Sequence, residues 1–366
     1  MATLRPIPLA QPIIGEAEEQ AVLRVLRSGN LAQGTVVREF EDRCAQLVGV
    51  RHAVAVSSGT AALHLALLAH GIGPRDEVIT SPFTFIASAN AALFVGARPI
   101  FGDIHPCCYN LNPETIEALL TPRTRAIMPV HLYGYPANMP RIMEIATHHR
   151  LVVIEDAAQA MGAHIDGQMV GSFGTGCFSF YPTKNVTSAE GGMLTTNDDD
   201  VAKRARLLRN HGQKVRYRHE VLGYNLRLTD VHAAIGLAQM DRLRDFTRRR
   251  QANAAALNAG LADVVTVPRT RQGYEHVYHQ YTVRIGGGAR DAVAARLTEQ
   301  GIGNAIHYPI PVHHQPLYRA LGYNTSLPEA ERAAREVLCL PVHPALREED
   351  LRRIAEEVRA ACFALA

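Results

Sequence analysis

The chemistry in this chain is carried by an amine at the end of an apolar run. Phe178-Ser179-Phe180-Tyr181-Pro182-Thr183-Lys184-Asn185 sets Lys184 just past a short hydrophobic stretch and beside a turn proline, and Glu190-Gly191-Gly192 follows. That context places the lysine at a strand end rather than on a solvated helix face. An amine so placed can attack a carbonyl. Taken alone, a lysine is far more often a surface charge. Three other stretches change that balance. Ser57-Ser58-Gly59-Thr60-Ala61-Ala62-Leu63 puts small hydroxyl residues and a glycine between a strand and a strong helix. Such a junction offers free N–H groups and a positive helix end to a phosphate, or serves as an ordinary N-cap. Ser81-Pro82-Phe83-Thr84-Phe85 brings aromatics just after a strand. Asp156, in Glu155-Asp156-Ala157-Ala158-Gln159, is a carboxylate closing an apolar strand.

One cofactor needs all four parts. Pyridoxal phosphate needs N–H donors and hydroxyls for its phosphate, a flat face for its ring, a carboxylate for its pyridine nitrogen and a lysine for its aldehyde. The carboxylate keeps the ring nitrogen protonated, and the protonated ring withdraws electrons from the reacting carbon. A free lysine has a pKa of about 10.4 and is a poor nucleophile at neutral pH, so the site must activate or pre-join it. Each part also has a plainer reading: Asp156 as a helix cap, Phe83 and Phe85 as core, Ser179 as a satisfied buried hydroxyl. Their order and spacing together favour the cofactor.

The elements that must position these residues alternate along the chain. Short apolar runs at Ala53–Val56, Glu77–Thr80, Arg98–Phe101, Thr124–Val130 and Leu151–Ile154 read as strands. Helical patterns fall between them, including Ala61–His70, Ile86–Val95, Pro113–Leu120 and Met139–His149. Before them, Val22, Leu23, Val25 and Leu26 repeat at helical spacing. Val36–Val48 forms a second helix with Phe40, Cys44 and Leu47 on one face. This pattern predicts an α/β fold, three layers with a mostly parallel sheet covered on both faces. Ligands of such sheets bind at the carboxyl ends of strands, where Ser57–Thr60, Asp156 and Lys184 all fall. Thr229–Leu243 reads as a long helix, continued by Arg248–Leu261. Beyond it come a half-buried strand at Tyr281–Ile285, a helix at Ala289–Gln300, a proline- and histidine-rich loop, and an amphipathic tail from Glu348 to Leu365. The expected division is a large domain, 1–245, with an N-terminal arm, and a smaller α+β C-terminal domain, 246–366.

Bulk properties narrow the classes. At 366 residues the chain is long for one core. A net charge of +3 is too small to argue for nucleic acid or a membrane surface. Arg248-Arg249-Arg250 and Arg216-Tyr217-Arg218-His219 read first as solvated faces. The six cysteines have no metal or redox spacing, which suits reduced, mostly buried thiols and a cytoplasmic setting. No signal-peptide core opens the chain. No dinucleotide glycine motif follows the first strand, and no HExxH or cysteine–histidine metal pattern is present.

The motifs SSGTAAL (57–63), EDAAQA (155–160), SFYPTKN (179–185), EGGM (190–193), RNHG (209–212) and GYNLRLTD (223–230) carry a resemblance that covers nearly the whole chain. It resembles the DegT-like sugar aminotransferases, pyridoxal-phosphate enzymes of fold type I, the aspartate-aminotransferase-like architecture. The resemblance implies Lys184 as the Schiff-base lysine, Asp156 paired with the pyridine nitrogen and Gln159 at the ring hydroxyl. It implies Gly59, Thr60 and Ser179 at the phosphate and Phe85 on the ring. Asn225 would reach the phosphate of the neighbouring subunit's cofactor, in a homodimer with shared sites. Arg227, His307 and Tyr308 resemble substrate-side positions. Arg75 and Ala189 depart from the family pattern away from this chemistry. The implied reaction moves an amino group, from L-glutamate through pyridoxamine phosphate, to a nucleotide-linked keto sugar. The run Ile306–Pro311 leans toward a 3-keto rather than a 4-keto substrate. Two alternatives stay open: a sugar dehydratase using pyridoxamine phosphate, which needs the lysine replaced, and a regulator that keeps the fold without turnover.

Overall fold

The computed structural model describes residues 5–364. Two amphipathic helices, α1 (Glu16–Ser28) and α2 (Thr35–Val48), precede the sheet. Then β1 (His52–Val56), α3 (Gly59–Ala69), β2 (Glu77–Thr80), α4 (Ala87–Phe94), β3 (Arg98–Phe101), β4 (Thr124–Met128), α5 (Met139–His149) and β5 (Val152–Asp156) alternate. A small ribbon, β6 (His164–Ile165) and β7 (Gln168–Met169), leads to β8 (Thr175–Ser179) and β9 (Gly192–Thr196). The seven-stranded sheet has the order β1-β9-β8-β5-β4-β2-β3. Only β9 runs against the rest, antiparallel to both β1 and β8.

Alternating residues of the strands enter opposite cores. Ala53 and Ala55 pack with Phe40, Cys44 and Phe180 on one face. Val54 and Val56 pack with Leu63, Leu65 and Leu67 of α3 on the other. Val78, Ala126 and Ile154 share that second core, whereas Ile79, Ile127 and Val153 turn to α5. A sheet buried on both faces cannot leave strand backbone unpaired, and it shows the near-continuous apolar runs that the sequence displays.

After β9 come α6 (Asp199–Arg209), the exposed hairpin β10 (Gln213–Val215) and β11 (Arg218–His219), α7 (Asp230–Met240) and α8 (Leu243–Leu261). Strand β12 (Tyr274–Glu275) joins the β6–β7 ribbon. The remainder comprises β13 (Tyr281–Arg284), α9 (Arg290–Glu299), α10 (Pro316–Ala320), α11 (Pro328–Glu336), β14 (Val337–Leu340) and α12 (Glu348–Phe363). β13 and β14 pair antiparallel, and their core takes in α8, α9 and α12. Ile7 of the N-terminal arm is buried in that same core and bridges to Ile302. The division expected at residue 245 falls inside α8.

Several element expectations need correction. Pro113–Leu120 is two 3₁₀ turns, not one helix. The segment is short, and Asn112 caps it through a bond from the Glu114 N–H to Oδ1 at 3.3 Å. Short helical segments are marginal and settle into i→i+3 bonding. The helix expected over Thr229–Leu243 breaks at Asp241 and Arg242. Those two side chains are drawn to Arg43 and Glu18 of the first helices. Leu47 lies on the rim of the α2 stripe and Leu26 outside that of α1, and both are exposed. Of the cysteines, Cys44, Cys177 and Cys339 are buried and the other three are not, so half rather than most are core thiols. The tail helix ends at Phe363, and Leu365 lies outside the described residues. So do residues 1–4, where the expectation of no signal peptide falls.

Candidate active site

The register of three strands builds the floor of the site. Val56 pairs with Gly192, and Gly192 pairs with Ser179, so the ends of β1 and β8 lie in one row. Asp156 pairs with Cys177, one short step away on β5. The chain leaving β1 enters α3 at once. Ser58 is the N-cap, its Oγ accepting from the Ala61 N–H at 3.1 Å. A helix leaves its first N–H groups without intrahelical partners, so the N–H groups of Gly59 and Thr60 open the positive end of α3 beside Ser179. The approach is close: a Cβ on Gly59 would lie 2.8 Å from that of Ser179.

Asp156 is buried and held from two sides. Its Oδ2 accepts from Ser88 Oγ at 2.6 Å, and its Oδ1 accepts from the Ala158 N–H at 3.2 Å. The neighbouring Glu155 is wholly buried and faces away into a nest of donors. It accepts from the N–H groups of Gly171, Phe173 and Gly174, at 2.8 Å, 2.9 Å and 2.9 Å, and lies 3.1 Å from His131 Nε2. The Ala137 N–H donates to His131 Nδ1 at 3.0 Å, so the proton of that imidazole belongs on Nε2, facing Glu155.

Beyond β8 the chain turns back on itself. The Tyr181 N–H donates to Ser179 Oγ at 3.4 Å, and the Lys184 N–H to the Tyr181 carbonyl at 2.9 Å. The Lys184 amine is thereby carried back to the carboxyl edge of the sheet. Desolvation pushes its pKa down from 10.5 to about 8, while the Asp156 carboxylate pulls the other way. His279 and His307 are held below the ordinary imidazole range, first by burial and then by the Lys184 charge. Burial and the Asp156 charge push the Tyr308 phenol up.

Gln159 links the two halves of this cluster. Its Oε1 accepts from the Tyr133 N–H at 2.6 Å, and its Nε2 donates to the Tyr308 hydroxyl at 3.2 Å. The Tyr133 hydroxyl donates to the His307 carbonyl. Phe85 is 58% exposed, with its ring 6.3 Å from that of Tyr308. Lys184, Asp156, Gln159, His307, Tyr308 and Phe85 thus form one neighbourhood, and Gly59, Thr60 and Ser179 border it.

Asn225 and Arg227 sit apart from that cluster. Arg227 donates to Asn225 Oδ1 and to Asn210 Oδ1, each at 3.1 Å, and both Asn225 and Arg227 are exposed. Their segment lies against the first turn, since the Ser57 N–H donates to the Leu226 carbonyl at 2.9 Å. Sequence reasoning passed over Ser88, Tyr133 and His279. Only Ser88 carried a signal: it falls one helical turn beyond the Thr84-Phe85 motif, on the face turned toward β5.

The donor set fits pyridoxal phosphate. A buried carboxylate acts on a desolvated amine, an open helix N-terminus adjoins a hydroxyl, and His307 Nδ1 is a buried polar atom with no partner among the described residues. Fold and site define an α/β enzyme with a desolvated amine at the carboxyl edge of its sheet. The chain belongs to the DegT/DnrJ/EryC1/StrS aminotransferase family, whose model matches residues 12–359. Enzymes of this family use pyridoxal phosphate. A UDP-N-acetyl-3-dehydro-alpha-D-glucosamine 3-aminotransferase of Acidithiobacillus ferrooxidans is 48% identical, over 92% of this chain and 91% of its own length. A pleiotropic regulatory protein of Geobacillus stearothermophilus is 45% identical, over 91% of each chain. The crystal structure of S. venezuelae DesV, in complex with a ketimine intermediate, superimposes with a TM-score of 0.91 at 41% identity, covering 94% of this chain and 93% of its own.

Proposed function

We propose that this enzyme transfers an amino group from L-glutamate to the keto carbon of a nucleotide-linked sugar, at carbon 3. The likeness to a 3-aminotransferase for a UDP sugar supports that position. When bound, pyridoxal phosphate supplies the electron sink for the carbon that loses or gains a proton. The chain's own residues do the rest. Lys184 holds the cofactor covalently and, once displaced, moves the proton at the substrate carbon. Its lowered pKa suits both duties at neutral pH. Asp156, oriented by Ser88, keeps the ring nitrogen protonated, and Gln159 serves the ring hydroxyl. The N–H groups of Gly59 and Thr60 and the Ser179 hydroxyl hold the phosphate, and Phe85 covers the ring. His307 and Tyr308 face the substrate, and Arg227, on the same exposed segment as Asn225, faces the substrate of the partner's site. Asn225 completes the site of a partner subunit, in a cytoplasmic homodimer.

The observation that carries the reading is the buried Asp156 carboxylate, fixed by Ser88 and acting on a desolvated Lys184. A dehydratase would require another residue at position 184, and a regulator would not require this activated amine. Purified protein given glutamate and a panel of 3-keto and 4-keto nucleotide sugars tests the proposal by mass spectrometry. A mass gain matching replacement of the ketone by an amine is expected, and Lys184→Ala abolishes it together with the absorption band of bound cofactor. Loss of water without amine gain, or transfer undiminished in Lys184→Ala, would sink it.

A further inference from the structure

Away from Lys184, two imidazoles converge on one carboxylate oxygen. His313 and His314 lie in the 3₁₀ turn Val312–His314, which follows the His307–Tyr308 loop, and Glu331 lies in α11. His313 Nε2 and His314 Nε2 are each 3.4 Å from the same atom, Glu331 Oε1. One ligand atom from each of the three residues lies within 4.8 Å of the other two. The His313 side chain is 1% exposed, Glu331 21% and His314 30%, so the cluster is rooted in the core and open at one side.

Hydrogen bonding explains this arrangement poorly. Glu331 Oε1 already accepts from the Leu327 N–H at 2.9 Å and lies 3.3 Å from Ser326 Oγ. A carboxylate oxygen offers two lone pairs, and an N–H···O bond is normally 2.7–3.2 Å long. Two further imidazoles at 3.4 Å, the His313 contact a long hydrogen bond, crowd four donors onto that one oxygen, and a single ion between them would replace both imidazole contacts. The same distance has another meaning. A tetrahedral cation with ligands at about 2.0–2.1 Å holds neighbouring donor atoms about 3.4 Å apart. Two edges of such a tetrahedron are therefore present, and rotation of the partly exposed His314 ring closes the third. Arg319 acts on the same imidazole, but its guanidinium is turned to the Tyr323 carbonyl and Asn324 Oδ1, at 3.2 Å each.

We propose that His313, His314 and Glu331 bind one divalent cation of the zinc type, with water as fourth ligand on the open side. Two imidazoles and a carboxylate are a zinc ligand set. The Leu327 N–H acts as the outer donor that orients the carboxylate. The ion ties the turn after the His307–Tyr308 loop to the first turns of α11. That turn is also fixed to the segment after β2, by the Val312 N–H donating to the Pro82 carbonyl at 2.7 Å.

The test uses untagged, cofactor-loaded protein equilibrated with zinc, dialysed, and analysed by inductively coupled plasma mass spectrometry. About one zinc per chain is expected for wild type, and less than about a tenth of that for His314→Gln and Glu331→Gln. Zinc should raise the thermal midpoint of wild type and leave that of His314→Gln unmoved. Position 314 is partly exposed, so this variant should match the metal-free wild type in midpoint, which separates lost binding from lost folding. Wild type that keeps no zinc, or variants that keep as much, overturns the proposal. Because the readout is bound metal, the outcome is independent of any aminotransfer result.

Discussion

The proton on Lys184 is set by its surroundings more than by its chemistry. With a pKa of about 8 rather than 10.5, about one amine in ten is neutral at pH 7, where an ordinary lysine offers about one in three thousand. Capture of pyridoxal phosphate by the cofactor-free chain should therefore speed up about tenfold per pH unit and level off near pH 8. Stopped-flow absorbance against pH reads this directly, and a rate still climbing steeply at pH 10 would mean an unperturbed amine. Asp156→Asn should move the break lower, because the carboxylate is what raises the value against burial. The linkage has a definite sign. The unfolded chain keeps this proton up to the ordinary lysine range, whereas the fold releases it near 8. Stability of the cofactor-free protein thus rises as pH climbs from about 8 to 10.5 and carries the full penalty below 8. The positions of Lys184 and Asp156 were legible in the sequence because Asp156 closes an apolar strand and Lys184 lies in the turn just after another. His279 was not: a loop histidine acquires meaning only once the fold brings the Lys184 turn beside it, and Ser88 offered only its place one turn beyond Thr84-Phe85.

Among the elements, the junction of β1 with α3 is tightly specified. Gly59 and Gly192 both lie there, for different reasons. A Cβ at Gly192 would run into the carbonyl of Ser58, which is backbone and cannot swing aside. Gly192→Ala should cost stability toward the upper end of the about 1–3 kcal/mol typical of overpacking, read as a lower urea midpoint with little change in slope. A Cβ at Gly59 meets the side chain of Ser179 at 2.8 Å, with the Ser179 Cα at 3.3 Å. Gly59→Ala should push α3 away from that hydroxyl. The expected result is weaker retention of pyridoxal phosphate, about tenfold, with a smaller shift in midpoint than Gly192→Ala produces. Equal losses of stability in the two variants would show the junction to be packing alone. Strands β1 to β5 were read because an apolar run is itself the signal, whereas β9 and β14, equally buried, were passed over. Pro113–Leu120 misled because helical periodicity over so few residues does not distinguish an α-helix from successive 3₁₀ turns. The break at Asp241 was hidden because both residues at the joint keep right-handed helical backbone angles.

At the scale of the whole molecule, the proposed function calls for a second subunit. Asn225 is exposed and bonded to Arg227, on a segment that lines the outer side of the β1–α3 turn. Far from Asn225 in sequence, the N-terminal region presents Ile14, Leu23, Leu26 and Leu31, each between 37% and 51% exposed. Apolar residues grouped in this way mark a contact surface, which suits the proposed dimer in which Asn225 serves the other subunit. A two-fold interface makes every such contribution reciprocal. Two variants that are inactive for different reasons can therefore rescue one another. Lys184→Ala lacks the amine, and Asn225→Ala lacks the partner's phosphate contact, expected to lower activity by one to two orders of magnitude. In a mixed dimer one site inherits both lesions and the other inherits neither. Co-expression with random pairing should return about a quarter of wild-type turnover per site, and purification through two different tags should raise the mixed dimer to about half. If Asn225 instead serves its own chain, every site in the mixed dimer carries one lesion. Activity then stays at the sum of the two parents, and the shared-site arrangement is excluded.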